Sequence, residues 1–225
     1  MIKRRLSLFI CLILAAGFLH AQEIITAGRY MEMVSERYGS IRDFEANTVI
    51  RSGGSSDMVG VVSFLAPAFL RIDFSRPADQ VIVFNSELLT VYLPEFRATL
   101  MQSINRSRRA QSIASGQGLS MLRRNYVPSF VTGPSPEPLD GTGENVIRLR
   151  LTRTSGSEGF RQIILSINPD TRLIRRIEGR TLADTEVRMD FTNIRINQGI
   201  PEQRFLYDPP PSANMYNNFL FRDIN

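Results

Sequence analysis

The 225-residue chain carries 27 basic residues against 22 acidic ones, a single His, a single Cys, a single Lys and no Trp. His20, Cys11 and Lys3 all lie before Ala21. The rest of the chain therefore has no imidazole, thiol or amine side chain for zinc, triad, thiolate or Schiff-base chemistry.

That first stretch reads as an export signal. Lys3, Arg4 and Arg5 precede an apolar run from Leu6 to Leu19, and a small residue, Ala21, stands where cleavage is expected. The run is shorter than the roughly 20 residues a membrane span needs. Cys11 follows bulky Phe9 and Ile10 inside the run, which does not suit lipid attachment. After cleavage 24 basic residues remain, all Arg, and the net charge falls from +5 to +2. The basic balance is thus partly a property of the leader, and no nucleic-acid partner is expected. The predicted layout is a signal peptide over 1–21, one domain with one core over 22–211, and a tail over 212–225. The product is expected in the periplasm, where a disulfide would be permitted but no Cys is left to form one.

A helix is predicted over Glu23–Ile41, because Ala27, Tyr30, Met31, Val34, Tyr38 and Ile41 recur at three- and four-residue spacing. Strands follow over Asp43–Arg51, Met58–Leu65, Phe69–Phe74, Gln80–Phe84, Leu88–Leu93 and Phe96–Ser103, separated by turn-like Gly, Ser, Pro and Asn clusters. Residues Asn105 to Asn145 are rich in Ser, Gly, Pro and Arg, with a short helix expected at Leu119–Asn125. Segments of this kind in a compact domain serve as lids or binding loops, or are partly disordered. Strand alternation resumes with Ile147, Leu149 and Leu151, then Ile163, Leu165 and Ile167, then Arg172–Arg180 and Glu186–Ile196. The tail from Met215 either adds an edge strand or makes a small contact. The Gly-rich pieces at Ser115–Gly118 and Ser155–Gly159 match neither a nucleophile elbow nor a phosphate loop. Asp184 and Glu186 read as strand-surface charges, so no enzyme, cofactor or metal is expected.

The predicted fold is mainly β, an α+β arrangement of about ten antiparallel strands with few helices. So long a meander curls, and its inner face must be closed or covered. Met58, Val62 and Phe64 share one face of the first hairpin, and Leu70, Ile72 and Phe74 continue it. This uniformly apolar face is compatible with an ordinary core or with a pocket for acyl chains. In the second case Phe64, Leu70, Ile72 and Phe74 are expected to face the interior, with Val34 and Tyr38 of the helix opposite. The 105–125 segment is expected to cover the open end, with Met101 and Met121 touching the bound chains.

Several segments resemble the LolA family of periplasmic lipoprotein carriers. Phe44–Thr48 is similar to its first strand, and Gly60 to Pro67, Phe69–Phe74 and Pro77 to its glycine-to-proline hairpin, aromatic strand and second proline. Gln80–Val83, Val91–Pro94, Ile174–Ile177, Asp190–Asn197, Ile200–Pro201 and Phe205–Pro210 follow in the family's order. The resemblance spans about Glu23 to Pro211. It implies a half-open barrel with helices as a lid over a hydrophobic cavity. It also implies partners: acylated lipoproteins, an ABC-type lipoprotein-releasing complex in the inner membrane, and an outer-membrane acceptor, the carrier itself acting as a monomer. Family members place an arginine just before the hairpin proline to help hold the lid shut. Here that place is Ala66, so either Arg71, Arg123 or Arg124 takes the closing role or the carrier stays more open. A lipid- or lipoprotein-sensing domain of the same fold, acting in envelope stress signalling, is the alternative. Such a protein is expected to carry a further partner-binding domain, and the end of the chain at Asn225 reads against it.

Overall fold

The computed structural model describes residues 25–104, 116–154 and 159–220, the side chains of Gln117 and Met121 excepted. The expected leader with its cleavage site and residues 105–115 of the expected lid lie outside these. The first helix, α1, spans Ala27–Gly39. It starts later than the periodicity predicts because Thr26 caps it, its hydroxyl accepting the Arg29 N–H at 3.2 Å. Tyr30, Met31, Val34, Ser35 and Tyr38 form its buried face.

Six strands follow in a meander: β1 (Asp43–Ser52), β2 (Met58–Leu65), β3 (Phe69–Arg76), β4 (Val81–Asn85), β5 (Leu88–Leu93) and β6 (Ala98–Ser103). After α2 (Gly116–Asn125) come β7 (Tyr126–Phe130), β8 (Glu137–Pro138), β9 (Asn145–Arg153), β10 (Phe160–Ile167), β11 (Ile174–Thr181), β12 (Glu186–Ile196) and β13 (Asn214–Asn217). The main path runs β13-β6-β5-β4-β3-β2-β1-β12-β11-β10-β9-β7, with β8 beside β9. The two ends do not meet, so the sheet is open. All pairs are antiparallel except β13 with β6.

Three strands exceed the predicted ten. Two of them, β7 and β8, lie in the Ser/Gly/Pro-rich middle, where Pro128 masks strand periodicity. Pro128 is tolerated because β7 is an edge, where a missing N–H breaks no inner ladder. The third, β13, settles the open choice for the tail in favour of an edge strand. A 3-10 turn at Pro94–Phe96 delays β6 to Ala98.

The central pair is β1 with β12, which joins the two halves of the chain. Gly60 on β2 is required there by contact: a Cβ would stand 2.4 Å from the Asp73 carbonyl oxygen of β3. The helices cover one half of the sheet. With Leu119 of α2, the buried face of α1 packs on Tyr126, Leu149, Leu151, Ile163, Leu165 and Ile167. A second, smaller core lies on β1 to β3, around Ala46, Ile50, Val62, Ile72 and Phe74.

The opposite face carries the charges and a C-terminal strap. Phe205 is fully buried and tilts against Phe69 at 5.6 Å. The Arg71 guanidinium donates to the carbonyls of Arg204 and Leu206, each at 3.1 Å, and clasps Asp73.

Candidate functional site

Between the two cores the concave face leaves a cavity of about 380 Å³, within the range of small-molecule pockets. Its wall is built from six strands and the end of α1. Phe44 and Ala46 come from β1, Val62 from β2, and Leu70 and Ile72 from β3. Phe160 and Ile163 come from β10, Ile174, Ile177 and Gly179 from β11, and Val187, Met189, Phe191, Ile194 and Ile196 from β12; Tyr38, Ile41 and Leu173 complete the wall. No charged residue is among them.

The wall owes its shape to three β-bulges. On β12 the register passes from Thr192 opposite Asn47 to Arg195 opposite Glu45, one residue more than on β1. Asn193 sits in that step with a left-handed φ of 51°. The extra residue shifts the phase of the strand, so Phe191 and Ile194, three apart, both reach the cavity. On β11 the same device lies between Ile174 and Arg176, and on β10 between Phe160 and Gln162. It lets Ile174 with Ile177, and Phe160 with Ile163, face one way. Each bulge also bends its strand, which deepens the concave side. Gly179 has no side chain under the Phe160 ring, whose atoms lie 2.7 Å from where a Cβ would stand.

Tyr38 brings the one side-chain hydroxyl among the described lining residues. Its oxygen accepts the Ile174 N–H at 3.0 Å, and burial pushes its pKa up to about 12. The phenol therefore stays neutral and occupied with the backbone. The surface is chemically suited to hydrocarbon and offers no nucleophile, base or ion. Among the described residues no group of His, Cys, Asp and Glu is placed to hold a metal, and no helix is long and apolar enough to cross a membrane.

Of the residues singled out in the sequence, Tyr38, Val62, Leu70 and Ile72 stand on this wall. Phe64 is one layer behind, stacked on Phe44 at 5.3 Å. Met58 and Phe74 belong to the adjoining small core. Val34 is buried against the helix-covered half of the sheet and does not face the first hairpin. Met101 lies on the other side altogether, because register links it through Thr90 and Val83 to Arg71. Nothing is described of the Met121 side chain.

The three arginines have separate places. Arg71 stands between Leu70 and Ile72, so it projects from the face opposite the cavity, where it grips the strap and lies over the Tyr207 ring at 5.6 Å. Arg123 approaches Glu32 at 3.7 Å and joins α2 to α1. Arg124 is exposed. None of the three lines the cavity. The wall residues of β10 to β12 were not singled out, since the bulges break the alternation by which they would have been found. The signal was present as apolar residues three apart, at Phe160/Ile163, Ile174/Ile177 and Phe191/Ile194.

No family model and no curated protein matches this sequence. Solved structures do match. An uncharacterized conserved protein from Thermus thermophilus aligns over 83% of this chain and 98% of its own, at 12% identity and a TM-score of 0.55. A chain of the MucA/MucB complex of Pseudomonas aeruginosa aligns over 84% of this chain and 62% of its own, at 13% identity and a TM-score of 0.51. A LolA superfamily protein from Nitrosomonas europaea aligns over 81% and 98%, at 14% identity and a TM-score of 0.40. At these identities the likeness is one of fold. The fold that the chain shares with the first two is an open, curved antiparallel sheet that helices cover in part.

Proposed function

We propose that the protein is a non-enzymatic periplasmic carrier that shields the acyl chains of lipoproteins while they pass from the inner to the outer membrane. The observation that carries this reading is the cavity: eighteen described lining residues, none charged, on the concave face of an open sheet. The export signal read from the sequence supports the compartment. The family resemblance supports the partners, an ABC-type releasing complex and an outer-membrane acceptor. The mechanism is transfer by burial. Each methylene hidden from water is worth about 0.8 kcal/mol, so a lipid anchor needs a shield to cross an aqueous space and a better shield to leave it.

A second reading is a lipid-sensing domain that answers to a protein partner in envelope stress signalling. The fold-level likeness to a chain of the MucA/MucB complex favours it. Mass spectrometry of protein purified from its own periplasm separates the outcomes. Co-purified acylated lipoproteins support the carrier. A stable protein partner with lipid but no lipoprotein supports the sensor. Protein with no acylated ligand contradicts both.

A further inference from the structure

The apolar face does not stop at the cavity wall. From Ile72, which lines the cavity, register leads outward to Ile82 on β4, Val91 on β5, Leu100 on β6 and Tyr216 on β13, each opposite the next. Residues paired in this way share a face. Four strand spacings of about 4.8 Å make a row of about 19 Å. Phe84 and Leu89 form a second rail beside it, opposite Leu70 and each other.

The burial of β4 and β5 is inverted, whereas on β6 Ala98 and Gln102 of the concave face are buried. Val81, Val83, Thr90 and Thr99, on the face under the C-terminal strap, are buried. Ile82, Val91 and Leu100 on the concave face are only half-buried, and Tyr216 at the rim is 52% exposed. Met215 and Leu220 at the same edge are also more than half exposed, and no residue from Pro209 to Leu220 is charged.

We infer that this row is a track for a single acyl chain, lying across β4 to β6 between the cavity and a mouth at the β13 edge, where the exposed residues meet a lipid surface. The inference rests on the cavity holding hydrocarbon. Three features select this occupant. An acyl chain spans half of the roughly 30 Å hydrocarbon core of a bilayer, about 15 Å, which the row accommodates. The row offers no charge. It also runs across the strands, whereas a peptide adding to a sheet edge lies along them and is held by backbone groups.

The chain has no Trp, so single-Trp reporters test this directly. Tyr216→Trp places one at the mouth, Phe191→Trp one in the cavity and Tyr207→Trp one on the opposite face. The probe is a lysophosphatidylcholine with a mid-chain dibrominated acyl group, whose bromines quench Trp emission on contact. Quenching at 216 and 191 with less than a fifth as much at 207 is expected. Adding Leu100→Glu should reduce quenching at 216 at least fivefold while quenching at 191 persists. Quenching at 191 alone overturns the track and leaves the cavity reading standing. Quenching at neither overturns both, and quenching at 216 without 191, or equally at all three, overturns the track as nonspecific adhesion. A dimer in sedimentation whose 216 reporter ignores the lipid assigns the face to a second copy and also overturns it.

Discussion

Asp190 shows how single residues hold the charged face. Arg176, buried on β11, donates to it at 2.5 Å, and Arg51 and Arg188 each approach at 2.8 Å. Burial alone would raise the Asp190 carboxyl, but Arg176 and Arg188 outweigh it and hold it below its ordinary value of 3.8. Asp73 is similar: burial raises it, while Arg71 and Arg204 together bring it lower. Near pH 3.8 the folded protein therefore binds fewer protons at these sites than the unfolded chain, so stability rises with pH there. It is fully present above the ordinary carboxylate value and is lost as pH falls through the lowered folded values. Urea midpoints measured from about pH 6 to about pH 3 should decline over that window. Asp190→Asn should lower stability at neutral pH by about 3 kcal/mol, because Arg176 is left buried without its counter-charge, and should flatten the acid decline. Thr48 makes the opposite case. Its hydroxyl on β1 is buried and has no hydrogen-bond partner. Thr48→Val keeps the shape and removes the orphaned group, so the urea midpoint should rise by the equivalent of about 1 kcal/mol. An unchanged or lower midpoint would mean that the hydroxyl is satisfied in solution.

At the scale of elements, the strap from Glu202 to Tyr207 depends on Arg71, which binds two strap carbonyls and the Asp73 that also receives Arg204. Arg71→Ala should cost about 1–3 kcal/mol. It should also speed hydrogen exchange over the strap and β3 while leaving acyl binding unchanged, since Arg71 faces away from the cavity. Loss of acyl binding in a folded Arg71→Ala protein would instead give this arginine a part in closure. The hairpin from Gly60 to Phe74 was legible in the sequence because its alternation is unbroken and agrees with its turn residues, the register shifting only beyond it, where Val59 faces Arg76. The helix was legible by its spacing, with its start displaced to the Thr26 cap. The far wall of the cavity was not, since bulges at Asn193, between Ile174 and Arg176, and before Gln162 replace two-residue spacing by three. Nor did helical spacing reveal which half of the sheet Val34 would cover. That depends on which strands the chain returns to, a long-range choice that local periodicity does not encode.

On the scale of the whole molecule, the sheet is asymmetric. The half from β7 to β11 is a conventional core under two helices, and β3 to β5 are covered from the other side by the strap. The hollow lies where the two arrangements meet, over β1, β12 and their neighbours. On the proposed carrier function this hollow holds hydrocarbon. Ile177 is the residue for a direct test, being on the wall yet only half-buried, so that Ile177→Asn replaces apolar surface without emptying a core. Arg195, on β12 between two wall residues but facing away and exposed, is the control. Titration of a triacylated lipopeptide into the purified proteins should give equal affinity for wild type and Arg195→Ala, and at least a tenfold loss, about 1.4 kcal/mol, for a folded Ile177→Asn. Wild-type affinity in folded Ile177→Asn would contradict the account, because the acyl chains would then be held somewhere other than this cavity.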